Sequence, residues 1–352
     1  MASLRMTTSL GAVLWLLAAI AVPLNAAPTL ETFVLAVGGR STDSIAGPPS
    51  QVSDFFGSRG VLIPDDLVAD GLVGDFRFQS GGSPLTDSLS VVTPNFVTLF
   101  SGSNTFTGNA SSNANYGKVG AEAHGTYTGW SDGLTRTGSE GFATFRDGMT
   151  PFSPTVPVGS HGFTNLHFTI DGSANVVGTG ASGIVVRFQQ NNGPIDTMLD
   201  ALVNGSSNPN TFYPYDGPGR AGFAITPFSV SGSGVFETGL LPVTFGTAFD
   251  FKLGLLSWLV PGKDVSIDVN FSSSALLTGI DVFDAVGNPV VDFSIESGSG
   301  TQYDANGVHI PEPSSLILCL TAALSLIGMS RFSKRATASS RRSKLPGPIA
   351  GV

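Results

Sequence analysis

Four histidines, one cysteine and 26 carboxylates are the groups with which this 352-residue chain could do chemistry. Nucleophilic hydrolysis needs a hydroxyl or thiol beside a base that a third group orients. The sequence has no Gly-x-Ser-x-Gly turn to present such a serine. Of the histidines, His124 and His167 alternate with apolar neighbours and read as solvent-facing strand residues. His161 and His167 stand six apart across a bend, which is not the spacing of a zinc pair. Hydrolysis of a glycosidic bond needs only two placed acids. Glu122, Glu140 and Asp147 fall close together in one hairpin region, but a chain this rich in acids produces such neighbours by chance. Asp281, Asp284 and Asn288 surround a turn and are the one set of oxygens that would suit Ca2+; without an Asp-x-Asp-x-Asp-Gly loop, the expectation is no cofactor. Trp130, Tyr213 and Tyr215 are the aromatics placed to stack on a sugar, whereas Trp258 follows an apolar run and reads as core. These residues together predict a protein without a catalytic site.

The elements that must position these groups are strands. Val265, Ile267, Val269 and Phe271 alternate with Ser266, Asp268 and Asn270, the period of a half-buried strand. Val119 to Tyr127, Leu166 to Ile170 and Val291 to Ile295 repeat the pattern, and Asp132-Gly133, Asp171-Gly172 and Gly287-Asn288-Pro289 supply turns. The expected fold is therefore all-β: an antiparallel β-sandwich or jelly-roll-like body over 27–300. Phe168, Phe188, Phe251, Ile267, Val269 and Phe293 are expected in its core. One or two short helices are predicted. The better one is Pro194–Val203, where Ile195, Met198, Leu199 and Leu202 share a helical face and Asn204-Gly205 closes it; a shorter turn is expected over Pro64–Asp70. Ser101–Asn115 reads as a surface loop, and 301–310 as a polar linker.

Composition narrows the class. Charged residues are only 12%, which excludes a coiled coil, and 25 Phe with 41% apolar residues can build a core. Residues 27–310 hold 25 acidic and 10 basic side chains, a net charge of −15, so the body carries the wrong field for nucleic acid. The single Cys319 excludes a disulfide scaffold.

The two ends carry the clearest signals. Arg5, an apolar run from Leu10 to Val22 and small residues at Ala26 and Ala27 have the order of a secretory signal peptide over 1–26, so the secretion translocon and signal peptidase are expected partners. At the other end stand Pro311-Glu312-Pro313, then the apolar stretch Leu316–Met329, then Arg331, Lys334 and Arg335. Fourteen apolar residues as helix reach about 21 Å, short of the roughly 30 Å hydrocarbon core. Counted over 314–330 the segment becomes a marginal transmembrane helix, and the basic residues after it favour a cytoplasmic end. A basic tail, 336–352, follows. This tripartite end, 311–335, resembles the PEP-CTERM sorting signal. The resemblance implies an exosortase-type intramembrane protease as partner, removal of the tail, and a setting of exopolysaccharide and biofilm at the cell surface or in the extracellular matrix. It implies no single activity. The alternatives are a secreted glycan-binding or glycan-hydrolysing protein and a permanently membrane-anchored surface protein.

Overall fold

The computed structural model describes residues 27–39, 45–46, 55–56, 63–64, 72–93, 96–98, 102–130, 135, 137–205 and 222–309. Residues 1–26, read above as a signal peptide, Pro311, Glu312 and Pro313 with the apolar stretch after them, the basic residues Arg331, Lys334 and Arg335, and both Tyr213 and Tyr215 lie outside the described residues.

The described residues are all-β. In chain order the strands are β1 Thr29–Gly39, β2 Ile45–Ala46, β3 Ile63–Pro64, β4 Leu72–Gly81, β5 Leu85–Val92, β6 Phe96–Thr98, β7 Gly102–Asn115, β8 Lys118–Thr128 and β9 Gly138–Phe152. They continue with β10 His161–Gln190, β11 Ile195–Val203, β12 Phe223–Ile225, β13 Ser229–Glu237, β14 Leu241–Thr244, β15 Phe249–Asp284, β16 Ser294–Ser297, β17 Gln302–Asp304 and β18 Gly307–His309. Sixteen of them form one hydrogen-bonded network; β2 and β3 pair separately.

Two strands organise this network. β10 and β15 pair antiparallel from Gly162↔Asp284 to Gln190↔Phe251. Their register shifts around Val177–Gly180, opposite Pro261–Lys263, where β-bulges bend the ribbon. Gly178 has φ of 108°, and a Cβ there would stand 2.3 Å from the Asp264 carbonyl oxygen, so only glycine fits the bend. The bend gives the ribbon two halves with different neighbours. Around one half the order is β11–β10–β15–β9–β1–β4. Around the other it is β12–β13–β10–β15–β8–β7–β5. We call these the first and second banks.

The banks meet through their inner faces. Ser257 Oγ on β15 donates to the Ala121 carbonyl on β8 at 3.0 Å. A Cβ on Gly141 of β9 would lie 2.5 Å from the Ser111 carbonyl oxygen and 2.7 Å from that of Glu122. Ala110, Ala121, Ala123 and Ser112 line the second bank at this close approach and are all buried. Larger side chains fill the space beyond, with Phe145 and Phe251 edge to face at 5.1 Å and Phe188 6.3 Å from Phe251. Phe168, Phe188, Phe251, Ile267 and Val269 are buried as expected, while Phe293 packs only partly buried against them. Each fully buried phenylalanine contributes roughly 1.5–3 kcal/mol.

Three expectations are corrected. Residues 195–203 form strand β11, not a helix. A register shift opposite Val186/Arg187 lets Met198 and Leu199 both turn inward, and Ala201 and Val203 then alternate inward. Two adjacent apolar residues at a bulge reproduce the spacing of a helical face, and pairing with the open edge of β10 decides the outcome. Among the described residues only Phe55 and Phe56 are α-helical, and every named element is a strand; of the segment expected to turn at Pro64–Asp70, Pro64 belongs to β3 and the rest lies outside them. Residues 102–115 are strand β7, because the small residues that suggested a loop are those the close approach of the banks requires. Residues 301–309 are not a linker. Strands β17 and β18 pair as a hairpin beside β16, and Tyr303 is 4% exposed.

A methyl at the close approach has nowhere to go. Gly141→Ala is expected to lower stability by about 1–3 kcal/mol through overpacking, read as a lower midpoint in urea with an unchanged slope.

Candidate functional site

A polar concave surface lies on the outer face of the second bank. Strand alternation sends Ala121, Ala123 and Gly125 of β8 inward and leaves Glu122 and His124 outside. Register then aligns outward residues from neighbouring strands. Ser88, Ser111, Glu122, Asn270, Ser173 and Ser231 form one row across β5, β7, β8, β15, β10 and β13. Ser90, Asn109, His124, Asp268, Asn175 and Ser229 form the next. All twelve are exposed or half-buried. At the β5 end the rows floor an open groove of about 590 Å³, walled by Asp75 and Arg77 of β4. Arg77 Nη1 donates to the Ser88 carbonyl at 3.1 Å, and its guanidinium stands 3.9 Å from Asp75 and 4.0 Å from the buried Asp87.

His124 sits between two acids here. Its Nδ1 contacts Asp268 Oδ1, and its Nε2 lies 3.9 Å from Glu122 Oε2. The same Glu122 oxygen accepts from Ser111 Oγ at 2.8 Å. The serine proton thus points at a carboxylate and not at the imidazole, so the pair lacks the nucleophile–base bond of acyl transfer. The arrangement can accept and donate hydrogen bonds to hydroxyl groups from fixed positions. A second histidine repeats the theme on β10, where His167 Nε2 lies 2.7 Å from Asp281 Oδ2 and Nδ1 3.6 Å from Glu237.

The acids grouped by sequence are not brought together. Glu122 faces outward from the second bank, Asp147 faces inward from β9, and Glu140, an odd number of residues away, points to the outer face of the first bank. Asp147 is fully buried and holds the C-terminal hairpin. It accepts from Ser299 N at 3.0 Å, Ser299 Oγ at 2.5 Å and Tyr303 OH at 2.8 Å. Burial raises its pKa above the usual carboxylate value against the pull of those donors, and the same burial, with the Asp147 charge, pushes the Tyr303 phenol up. The calcium set separates too. Asp281 is taken by His167, while Asp284 accepts from the backbone of Val286 and Asn288 and from Asn288 Nδ2 at 2.9 Å. Those donors lower the Asp284 pKa and make the turn an Asx turn closed on itself. Among the described residues no group of three or more His, Cys, Asp or Glu is arranged to hold a metal ion. Trp130 is 45% exposed, but its ring lies under Lys263 Nζ, 4.8 Å from the centroid, and Asn104 and Tyr127 hold its backbone. The row residues other than His124 and Glu122 could be named from the sequence only as outward-facing; which of them stand side by side is set by register.

No family model, curated protein or solved structure matches this chain.

Glu140 is a group whose ionisation should register in solution. It is 5% exposed among the apolar residues outside the first bank, opposite Leu35 and Trp258, and its Oε1 has no hydrogen-bond partner. Burial raises its pKa well above the ordinary value. A raised carboxylate pKa favours the folded state most at pH below the unfolded value, and that contribution is lost as pH rises toward the folded value. The unfolding midpoint should therefore fall as pH rises from about 4.5 toward neutrality, and Glu140→Gln should flatten that slope and gain stability at pH 7. A parallel pH–stability profile for the variant would contradict the assignment.

Proposed function

We propose that this is an exported, non-catalytic protein of the cell surface or extracellular matrix, delivered by its N-terminal signal and sorted by a PEP-CTERM tail. The body is read as a β-sandwich of jelly-roll type, in which the two banks are the facing sheets. The observation that carries the sorting reading is the order Pro311-Glu312-Pro313, apolar stretch, basic cluster at the chain end. The position of the body's last strand supports it, because β18 closes at His309, directly before that segment. The hairpin held by Asp147 would then seal the folded body against the cut. An exosortase-type protease would release the protein, first anchored by the helix 314–330, to the envelope or the medium.

The body's net charge of −15 and its polar outer rows suit a hydrated exopolysaccharide matrix. Single exposed contacts of this kind are weak, and many copies on one surface supply avidity. Divalent cations could bridge its carboxylates to an acidic polymer. A second reading, a glycan hydrolase, is favoured by Glu122 and His124 lying in the groove. Turnover on a glycan panel that Glu122→Gln abolishes would establish it.

The sorting reading is tested by intact mass. The exported protein should have lost residues 1–26 and everything after about residue 313, and so fall clearly below the 36.2 kDa of the full chain. Pro311→Ala with Glu312→Ala should leave a longer, membrane-retained product. Release of that variant at wild-type mass would defeat the sorting reading, and a wild-type chain that keeps its tail would establish the permanent anchor.

A further inference from the structure

We infer that the two polar rows on the outer face of the second bank form a binding track for an extended, uncharged polysaccharide lying across the strands, with its end seated in the groove beside Asp75 and Arg77. This rests on the reading that the body works through its surface, and it names the surface and the ligand.

The geometry favours a linear polymer. Neighbouring strands stand about 4.8 Å apart, so six columns give a track of about 24 Å. That step is close to the advance of one pyranose ring along an extended β-linked chain, so each sugar would meet one column. Each column offers two side chains, one from each row. Hydroxyls of Ser88, Ser111, Ser173 and Ser231 both donate and accept, as do the amides of Asn109 and Asn175. This is the complement of a ligand that displays vicinal hydroxyl groups and no charge.

Other occupants fit less well. The rows contain no apolar side chain, so an amphipathic helix or apolar peptide would gain nothing from burial there. Glu122 and Asp268 lie in the rows and Asp75 beside them, while Arg77 already faces Asp75 and Asp87. An anionic polymer would meet uncompensated negative charge. The His124–Asp268 contact and the Ser111–Glu122 bond hold the acceptors of the third and fourth columns in place before any ligand arrives, which lowers the ordering cost of binding. Asp75 and Arg77 wall the β5 end of the track, which would fix where the end of a bound chain sits.

The test uses the full-length chain in mild detergent, titrated calorimetrically with cellotriose, cellohexaose and alginate, with and without calcium. The track predicts calcium-independent binding of the neutral sugars, tighter by at least tenfold for the hexaose. Asn109→Ala with Ser111→Ala, in the groove, should weaken both neutral sugars by about threefold to tenfold for each hydrogen bond lost. Asn175→Ala, two columns beyond His124, should weaken the hexaose alone. Asn109 and Asn175 are exposed and Ser111 half-buried on the outer face, and unchanged near-ultraviolet circular dichroism would show the variants folded. No binding of either neutral sugar, or binding that both variants leave intact, overturns the track. Binding of alginate only with calcium overturns the track and leaves the cation-bridged matrix reading standing, whereas indifference to all three polymers removes both.

Discussion

The continuous pairing of β10 with β15 is the interaction on which the remaining structure depends. One ribbon, bent at Gly178 and at Pro261–Gly262, supplies the central strands of both banks. Each bank completes itself on the edges the ribbon leaves open, with β9 and β11 on one half and β8 and β13 on the other. The bend brings the two inner faces together, and the distance between them is set where Gly141 meets the Ser111 and Glu122 carbonyls and where the Ser257 hydroxyl meets the Ala121 carbonyl. Small residues are obligatory there, and this accounts for the small residues of β8 and for the run of Gly, Ala and Ser in β7 that would otherwise resemble a loop.

A consequence of the close approach is a strict division of faces. Inward positions belong to packing, so polar groups with room to act are confined to outward positions. On the second bank they form the aligned rows and the groove. On the first bank the outward face is apolar instead, with Phe33, Leu35, Phe142, Val185 and Leu256 buried beneath Phe55 and Phe56, and Arg187 Nη1 donating to the Phe55 carbonyl. Glu140 lies in that apolar face and Asp147 lies between the banks, which is why one strand carries two acids with raised pKa values and different surroundings. Asp147 is satisfied by four donors and works as a fastening. Glu140 lacks a partner for Oε1, and burial alone raises its pKa.

Alternation along single strands was legible in the sequence, and with it the all-β class, most of the core and the outward placement of His124 and His167. What sequence distance misrepresents is proximity. Glu122 and Glu140 are on separate banks, while Asp147 meets Tyr303 across 156 positions. The helix expected at Pro194–Val203 fails for the same kind of reason. Local spacing at a bulge imitates a helical face, and only the waiting edge of β10 favours the extended form.

The sequence by itself determined the period of the strands, the composition of a β body with a net charge of −15, and the order of apolar and basic residues at its two ends, because each is a property of neighbouring residues. Tertiary structure alone decided which outward residues stand in one row. Register between β5, β7, β8, β15, β10 and β13 is fixed by the bend of the long ribbon and by the packing of the inner faces, and a slip of one residue on any strand would turn its polar set inward. The groove, the track and the anchoring role of Asp147 all follow from that long-range constraint.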